Sequence, residues 1–266
     1  MEILLGNRLV RERLENLILH KNFDGNFIFY GPEGVGKFSF AKSLALNFDP
    51  HDTRIIQKDS LGIDDIKEIN EFLLKKPLKD RKIVIIDNFD LATKEAQNAF
   101  LKNLEDFHKR NVIILIVSFL GYVLKTIQSR CQIFKFSGVD RGEIKIFFKK
   151  QGYDEKKLEI ALSIYPHQPG MVKRVLESDF IAFIDTFLNI KNKGNIWKLY
   201  KMEDIDKEKL LTLIVFLIQR EREKMREFSN YDFQRVEFLL ETFHNLRSYN
   251  LNPKIQFLNL LVNYYG

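Results

Sequence analysis

Residues 31–37 read Gly-Pro-Glu-Gly-Val-Gly-Lys, and this loop constrains the fold more than any other segment. Glycines at this spacing let the backbone curl so that successive N–H groups point inward, toward an anion. Phe27-Ile28-Phe29-Tyr30 before it is a short apolar run that reads as a strand. Phe38 to Leu46 after it reads as a helix. Strand, glycine loop and helix together form one βα unit. Its loop lies where the helix N-terminus adds a positive field. Lys37 is placed to reach the terminal phosphates of a nucleotide.

The eighth position of the loop should carry a hydroxyl for Mg²⁺, and here it is Phe38. A phenyl ring cannot ligate a hard cation, which takes oxygen. Ser39 is one residue out of register. The phosphate-facing set is therefore Gly31, Pro32, Gly34, Val35, Gly36, Lys37, Phe38 and Ser39. Two strand ends add to it. Lys82-Ile83-Val84-Ile85-Ile86 runs into Asp87, where an acid helps to hold Mg²⁺ in phosphate-loop proteins. Asn88 follows, and an amide takes no proton at neutral pH. The next apolar run, Asn111 to Val117, ends in Ser118, which is suited either to sensing a terminal phosphate or to bonding backbone. ATP binding is thus open, Mg²⁺ would be poorly held, and hydrolysis by this chain is expected to be weak or absent.

The chain alternates strand and helix as far as about residue 138. Arg54–Gln57 and Cys131–Phe136 complete the strands. Leu9–Leu19, Ile63–Leu74 and Ala92–Phe107 complete the helices. Continuous apolar strands separated by helices predict a parallel sheet covered on both faces. Beyond it the pattern is helical: three short helices in 141–177, then Lys207–Glu227, Asp232–Arg247 and Pro253–Tyr265. Lys191–Asn195 is the clearest break. Leu210–Ile218 is apolar on nearly all sides and so must be buried, and Arg220–Lys224 reads as solvent-facing. The single cysteine, Cys131, excludes an internal disulfide and a multi-cysteine zinc site. No apolar run is long enough for a bilayer, so a cytoplasmic protein without membrane contact is expected. The net charge of +6 permits nucleic-acid contact without requiring it.

Four motifs occur in order: the glycine loop, Ile83-Val84-Ile85-Ile86-Asp87-Asn88-Phe89-Asp90, Ala96-Gln97-Asn98-Ala99-Phe100-Leu101-Lys102-Asn103-Leu104-Glu105-Asp106, and Ser129-Arg130-Cys131. Together they resemble the bacterial clamp-loader branch of the AAA+ family. The resemblance implies an α/β AAA+ domain over 1–138, a small helical lid over 139–178 and a helical oligomerisation collar over 179–266. It implies a hetero-pentamer of clamp-loader subunits that acts on a sliding clamp and on primed DNA. It also implies that Arg130 reaches across an interface to a neighbour's ATP, a task suited to a permanently charged planar fork. Relatives that hydrolyse ATP carry a lid arginine where Gly170 falls here. Many carry a zinc module where Phe48–Thr53 has no cysteine, so no zinc is expected.

A non-hydrolysing subunit that donates Arg130 is the leading expectation. An active AAA+ ATPase, either a clamp-loader motor subunit or a helicase loader, is the alternative and would need Ser39 to take the metal. A small-molecule kinase ranks last. Its only candidate acceptor-binding acids, Asp59, Asp64 and Asp65, are better explained as a helix N-terminal cap.

Overall fold

A computed structural model describes residues 5–19, 24–58, 60–106, 111–188, 205–227 and 233–265. The break at Lys191–Asn195 lies outside these residues, as do Asp59, Phe107 and Asp232. The chain forms two compact units, Met1–Ile144 with His167–Met171, and Lys145–Pro166 with Val172–Gly266.

In the first unit β1 (Gly25–Tyr30), β2 (Thr53–Ile56), β3 (Lys82–Ile86), β4 (Asn111–Val117) and β5 (Gln132–Lys135) form one sheet. The order is β2-β3-β4-β1-β5 and every pairing is parallel. Successive side chains point to opposite faces, so each apolar strand feeds two cores. Ile28, Val84, Ile86, Ile113 and Leu115 face Ile66, Ile69, Phe100 and Leu104, which lie on α3 (Ile63–Leu74) and α4 (Lys94–Asp106). Phe27, Phe29, Ile83, Ile85 and Ile114 face Leu14 of α1 (Arg8–Leu19) and Phe40, Ala41 and Leu44 of α2 (Lys37–Ala45). Phe29, Phe40, Phe134 and Phe136 pack ring on ring at centroid separations of 5.1–6.1 Å. Helix α5 (Lys125–Gln128) precedes β5.

The remaining described helices are α6 (Arg141–Lys150), α7 (Glu155–Ile164), α8 (Pro169–Glu177), α9 (Phe180–Leu188), α10 (Lys207–Glu227), α11 (Gln234–Ser248) and α12 (Pro253–Tyr265). No residue from Leu210 to Arg220 is exposed, as the all-round apolar pattern requires. The adjoining charged run is not wholly solvated. Glu221 is 1% exposed, and it accepts 2.7 Å hydrogen bonds from the Tyr264 hydroxyl and from Lys224 Nζ. A buried carboxylate persists only when paired in this way. No described helix is long and apolar enough to cross a membrane.

Candidate functional site

The parallel register brings the ends of β1, β3 and β4 to one edge of the sheet. Tyr30 pairs with Val117, and Ile86 with Leu115. The glycine loop, Asp87 and Ser118 therefore share the carboxyl edge, where open α/β sheets bind ligands. Gly31, Gly34 and Gly36 have φ of +149°, +74° and +97°, conformations that L side chains rarely adopt. The loop is clamped between neighbouring strands: Gly31 N donates to Val117 O at 3.3 Å, and Phe136 N donates to Tyr30 O at 2.7 Å. Asn7, a left-handed residue at φ 49°, links this loop to the exit of β5. Its side chain donates to Ser137 O at 3.1 Å and to Val35 O at 3.4 Å, and it accepts from Ser137 N at 2.7 Å.

Lys37 is buried, and its ammonium donates to Gly31 O at 2.6 Å and Pro32 O at 2.7 Å. Burial pulls its pKa below the usual lysine value, against the fields of Asp87, Asp90 and Glu33. Phe38 packs its ring against the Phe29–Phe40 core, so position 38 offers a cation no oxygen. Ser39 is half-buried and turned about 100° further round the helix. The loop and helix start fit an anion, but the donor set at position 38 does not fit Mg²⁺.

Both oxygens of Asp87 accept hydrogen bonds, one from Asn88 N at 3.0 Å and one from Gln57 Nε2 at 3.3 Å. Asn88 is left-handed at φ 53° and caps the turn Phe89–Leu91. Asp90 is a residue that sequence reasoning passed over. Its Oδ2 accepts from the backbone N–H of Ser118 and of Phe119 at 3.1 and 3.2 Å, fixing the end of β4 beside Lys37. The signal was present as the second acid of Asp87-Asn88-Phe89-Asp90. At the other side of the loop, Gly170 N donates to Gly34 O at 2.8 Å. A Cβ on Gly170 would lie 3.1 Å from Gly34 Cα, so this approach of backbone to backbone leaves little room for a larger residue. Lys173 and Arg174 pair instead with Glu177 and Glu208.

Two other segments hold acids whose partners are local or backbone groups. Asp65 accepts from Gly62 N at 2.8 Å, capping α3, while Asp64 pairs with Lys67 at 2.7 Å. Asp49 accepts from His51 N, and the buried Asp52 accepts from Leu78 N and Lys79 N.

Arg130 lies elsewhere. It lies two residues before Gln132, the first residue of β5, and so sits at the amino edge of the parallel sheet. Six residues of β1 separate this edge from the glycine loop, about 20 Å at the rise of a strand. A cavity of about 530 Å³ opens here between Asp24, Asn26, Glu105, Ser129, Arg130 and Gln132. The turn that carries Arg130 is built by two glutamines. Gln97 of α4 donates to Ala92 O and Tyr122 O and accepts from Leu124 N at 2.9 Å. Gln128 donates to Leu120 O and Val123 O. The Arg130 side chain is 38% exposed.

Its neighbour Cys131 is largely enclosed, and burial pushes the thiol up to about 12. At pH 8 the thiolate fraction is then about 10⁻⁴, so iodoacetamide should label Cys131 about 10³-fold more slowly in the folded chain than in urea. Equal rates by mass spectrometry would mean that this strand start opens readily.

Residues 46–140 match the family model described as DNA polymerase III, delta subunit. Among curated proteins, the Methanosarcina acetivorans replication factor C small subunit is 30% identical over 195 residues, which is 68% of this chain and 57% of that protein. The Methanococcus maripaludis replication factor C small subunit is 23% identical over 94% of this chain and 83% of its own length. The chain spans about six-tenths of the length of the Methanosarcina relatives. Among solved structures, a DNA polymerase III gamma subunit-related protein of Thermotoga maritima superposes with a TM-score of 0.62 at 22% identity, covering 94% of this chain and 98% of that one. The Thermotoga maritima RuvB Holliday junction branch migration motor superposes with a TM-score of 0.51 at 16% identity over 79% of this chain and 76% of its own. The fold is that of an AAA+ α/β domain with a C-terminal helical region.

Proposed function

We propose that this chain is a clamp-loader subunit of the bacterial delta-prime type, one that hydrolyses no ATP itself and lends Arg130 to a neighbour. The observation that carries the reading is the separation of Arg130 from Lys37. They lie on opposite edges of one parallel sheet, about 20 Å apart. An arginine there cannot serve its own glycine loop, so a role in phosphoryl transfer requires a second subunit. Phe38, Asn88 and Gly170 support the passive half of the reading, because they remove the metal hydroxyl, the water-orienting acid and the lid arginine.

In this reading residues 139–178 act as the lid and 179–266 as the collar of a hetero-pentamer. The assembly opens a sliding clamp and places it on primed DNA in the cytoplasm. Nucleotide or another anion can still lie on the loop N–H groups of Gly34, Val35 and Gly36 without turnover. The test is steady-state hydrolysis of ATP by the purified chain with Mg²⁺, with and without primed DNA. No turnover above background is expected. Robust turnover abolished by Lys37→Ala would make this chain a motor in its own right and end the passive reading.

A further inference from the structure

The guanidinium of Arg130 has five N–H groups, and three are engaged in the isolated chain. Nε donates to Glu105 Oε1 at 2.8 Å, and Nη2 is ion-paired with the same oxygen at 2.6 Å. Nη1 donates to Thr126 O at 2.9 Å, one turn back along α5. Glu105 therefore takes the side edge of the fork. Nη1 and Nη2 each keep one N–H beyond these bonds, and those are the groups with which an arginine addresses a pair of phosphate oxygens.

The backbones behind this pair are also fixed to each other. Asn26, on β1 and 6% exposed, donates from one amide nitrogen to Leu104 O at 2.9 Å and to Arg130 O at 3.2 Å. One buried amide thus ties the last turn of α4, which carries Glu105, to the turn that carries Arg130. Exposed ion pairs usually count for little because two long side chains must be ordered to meet. Here both main chains are held beforehand, and the carboxylate has only the guanidinium left to order.

We infer that Glu105 is a positioning residue for Arg130: it fixes the plane and reach of the guanidinium so that its terminal N–H groups meet the neighbour's nucleotide without a search among rotamers. This rests on the reading that Arg130 acts in trans. A carboxylate beside an arginine also weakens its field, so the alternative arrangement is a latch that must break before Arg130 can act. The two predict opposite signs. A positioning carboxylate speeds the reaction, and a latch slows it.

The test uses the reconstituted clamp-loader assembly with primed DNA and measures kcat and KM for ATP. Glu105→Ala should lower kcat about 10-fold with KM for ATP and assembly by gel filtration unchanged. Glu105→Gln, whose amide oxygen can accept the same two N–H groups, should recover at least half of the rate. Arg130→Ala combined with Glu105→Ala should be no slower than Arg130→Ala alone. On the isolated chain, ¹⁵N-detected exchange of Arg130 Nε–H with water should quicken about 10-fold in Glu105→Ala and not in Glu105→Gln. A Glu105→Ala assembly at the full rate or faster, beside a slow Arg130→Ala assembly, would overturn the positioning role alone. An Arg130→Ala assembly at the full rate would overturn the trans reading, and the positioning role with it. Unaltered Nε–H exchange in Glu105→Ala would overturn the ion pair itself.

Discussion

Arg130→Ala is expected to slow hydrolysis at the neighbouring site about 10³-fold, while the assembly still forms. That is the lower end of what an arginine supplied across an interface contributes in phosphate-loop enzymes, roughly 10³ to 10⁵. It corresponds to about 4 kcal/mol of transition-state stabilisation. Charge spreads over the transferred phosphoryl oxygens as the bond to the leaving oxygen loosens, and a guanidinium fixed in advance meets that charge without reorganising. Arg130→Lys should restore little of the rate, because an ammonium is a single point and cannot span two oxygens. Single-turnover hydrolysis in the reconstituted assembly isolates the affected site from those that Arg130 does not serve. A rate within about 2-fold of wild type would remove Arg130 from the chemistry and leave it as part of the Glu105 ion pair at the sheet edge.

The strands were legible because their apolar character is continuous. Ile83–Ile86 and Val112–Val117 are buried on both sides, so no alternation was needed to find them. Helices with a strong apolar pattern were legible for the matching reason: Ile63–Leu74 carries a stripe, and Lys207–Glu227 an all-round apolar stretch. Helix α5 was not, since four residues are too few to show a period of 3.6. The glycine loop could be read from spacing alone. Its clamp by Val117 and Phe136 could not, because both partners arrive through strand order, a non-local property. The same holds for Asp90, Gln97 and Glu105. Each is a polar residue whose task is to satisfy backbone or side-chain groups far along the chain. Glu221 marks the opposite error. Charge clustering placed it in solvent, whereas Tyr264 and Lys224 give it the partners that burial demands.

Gly31→Ala is expected to be the most damaging small substitution in the loop. A Cβ there would lie 2.0 Å from Phe136 O, well inside any tolerated contact, with the backbone already at φ +149°. The obstacle is main chain, not a side chain that can rotate away. The strand that presents it is bonded to β1 through Phe136 N and Tyr30 O at 2.7 Å. Relief therefore means separating β5 from β1 or tearing Gly31 N from Val117 O. A loss of about 3 kcal/mol or more follows, in the range of strain at special backbone positions. For a unit of this size that lowers Tm by roughly 6–12 °C. Gly36→Ala is the comparison that separates crowding from conformation. Its φ of +97° is equally left-handed, yet a Cβ there meets nothing within 4 Å. Only the left-handed penalty of about 1–2 kcal/mol applies to it. Calorimetry of the two variants should therefore show the first-unit transition at least about 2–4 °C lower for Gly31→Ala than for Gly36→Ala. Equal shifts would mean that β5 yields easily at Phe136, and that the carboxyl edge holding the glycine loop is softer than its hydrogen bonds imply.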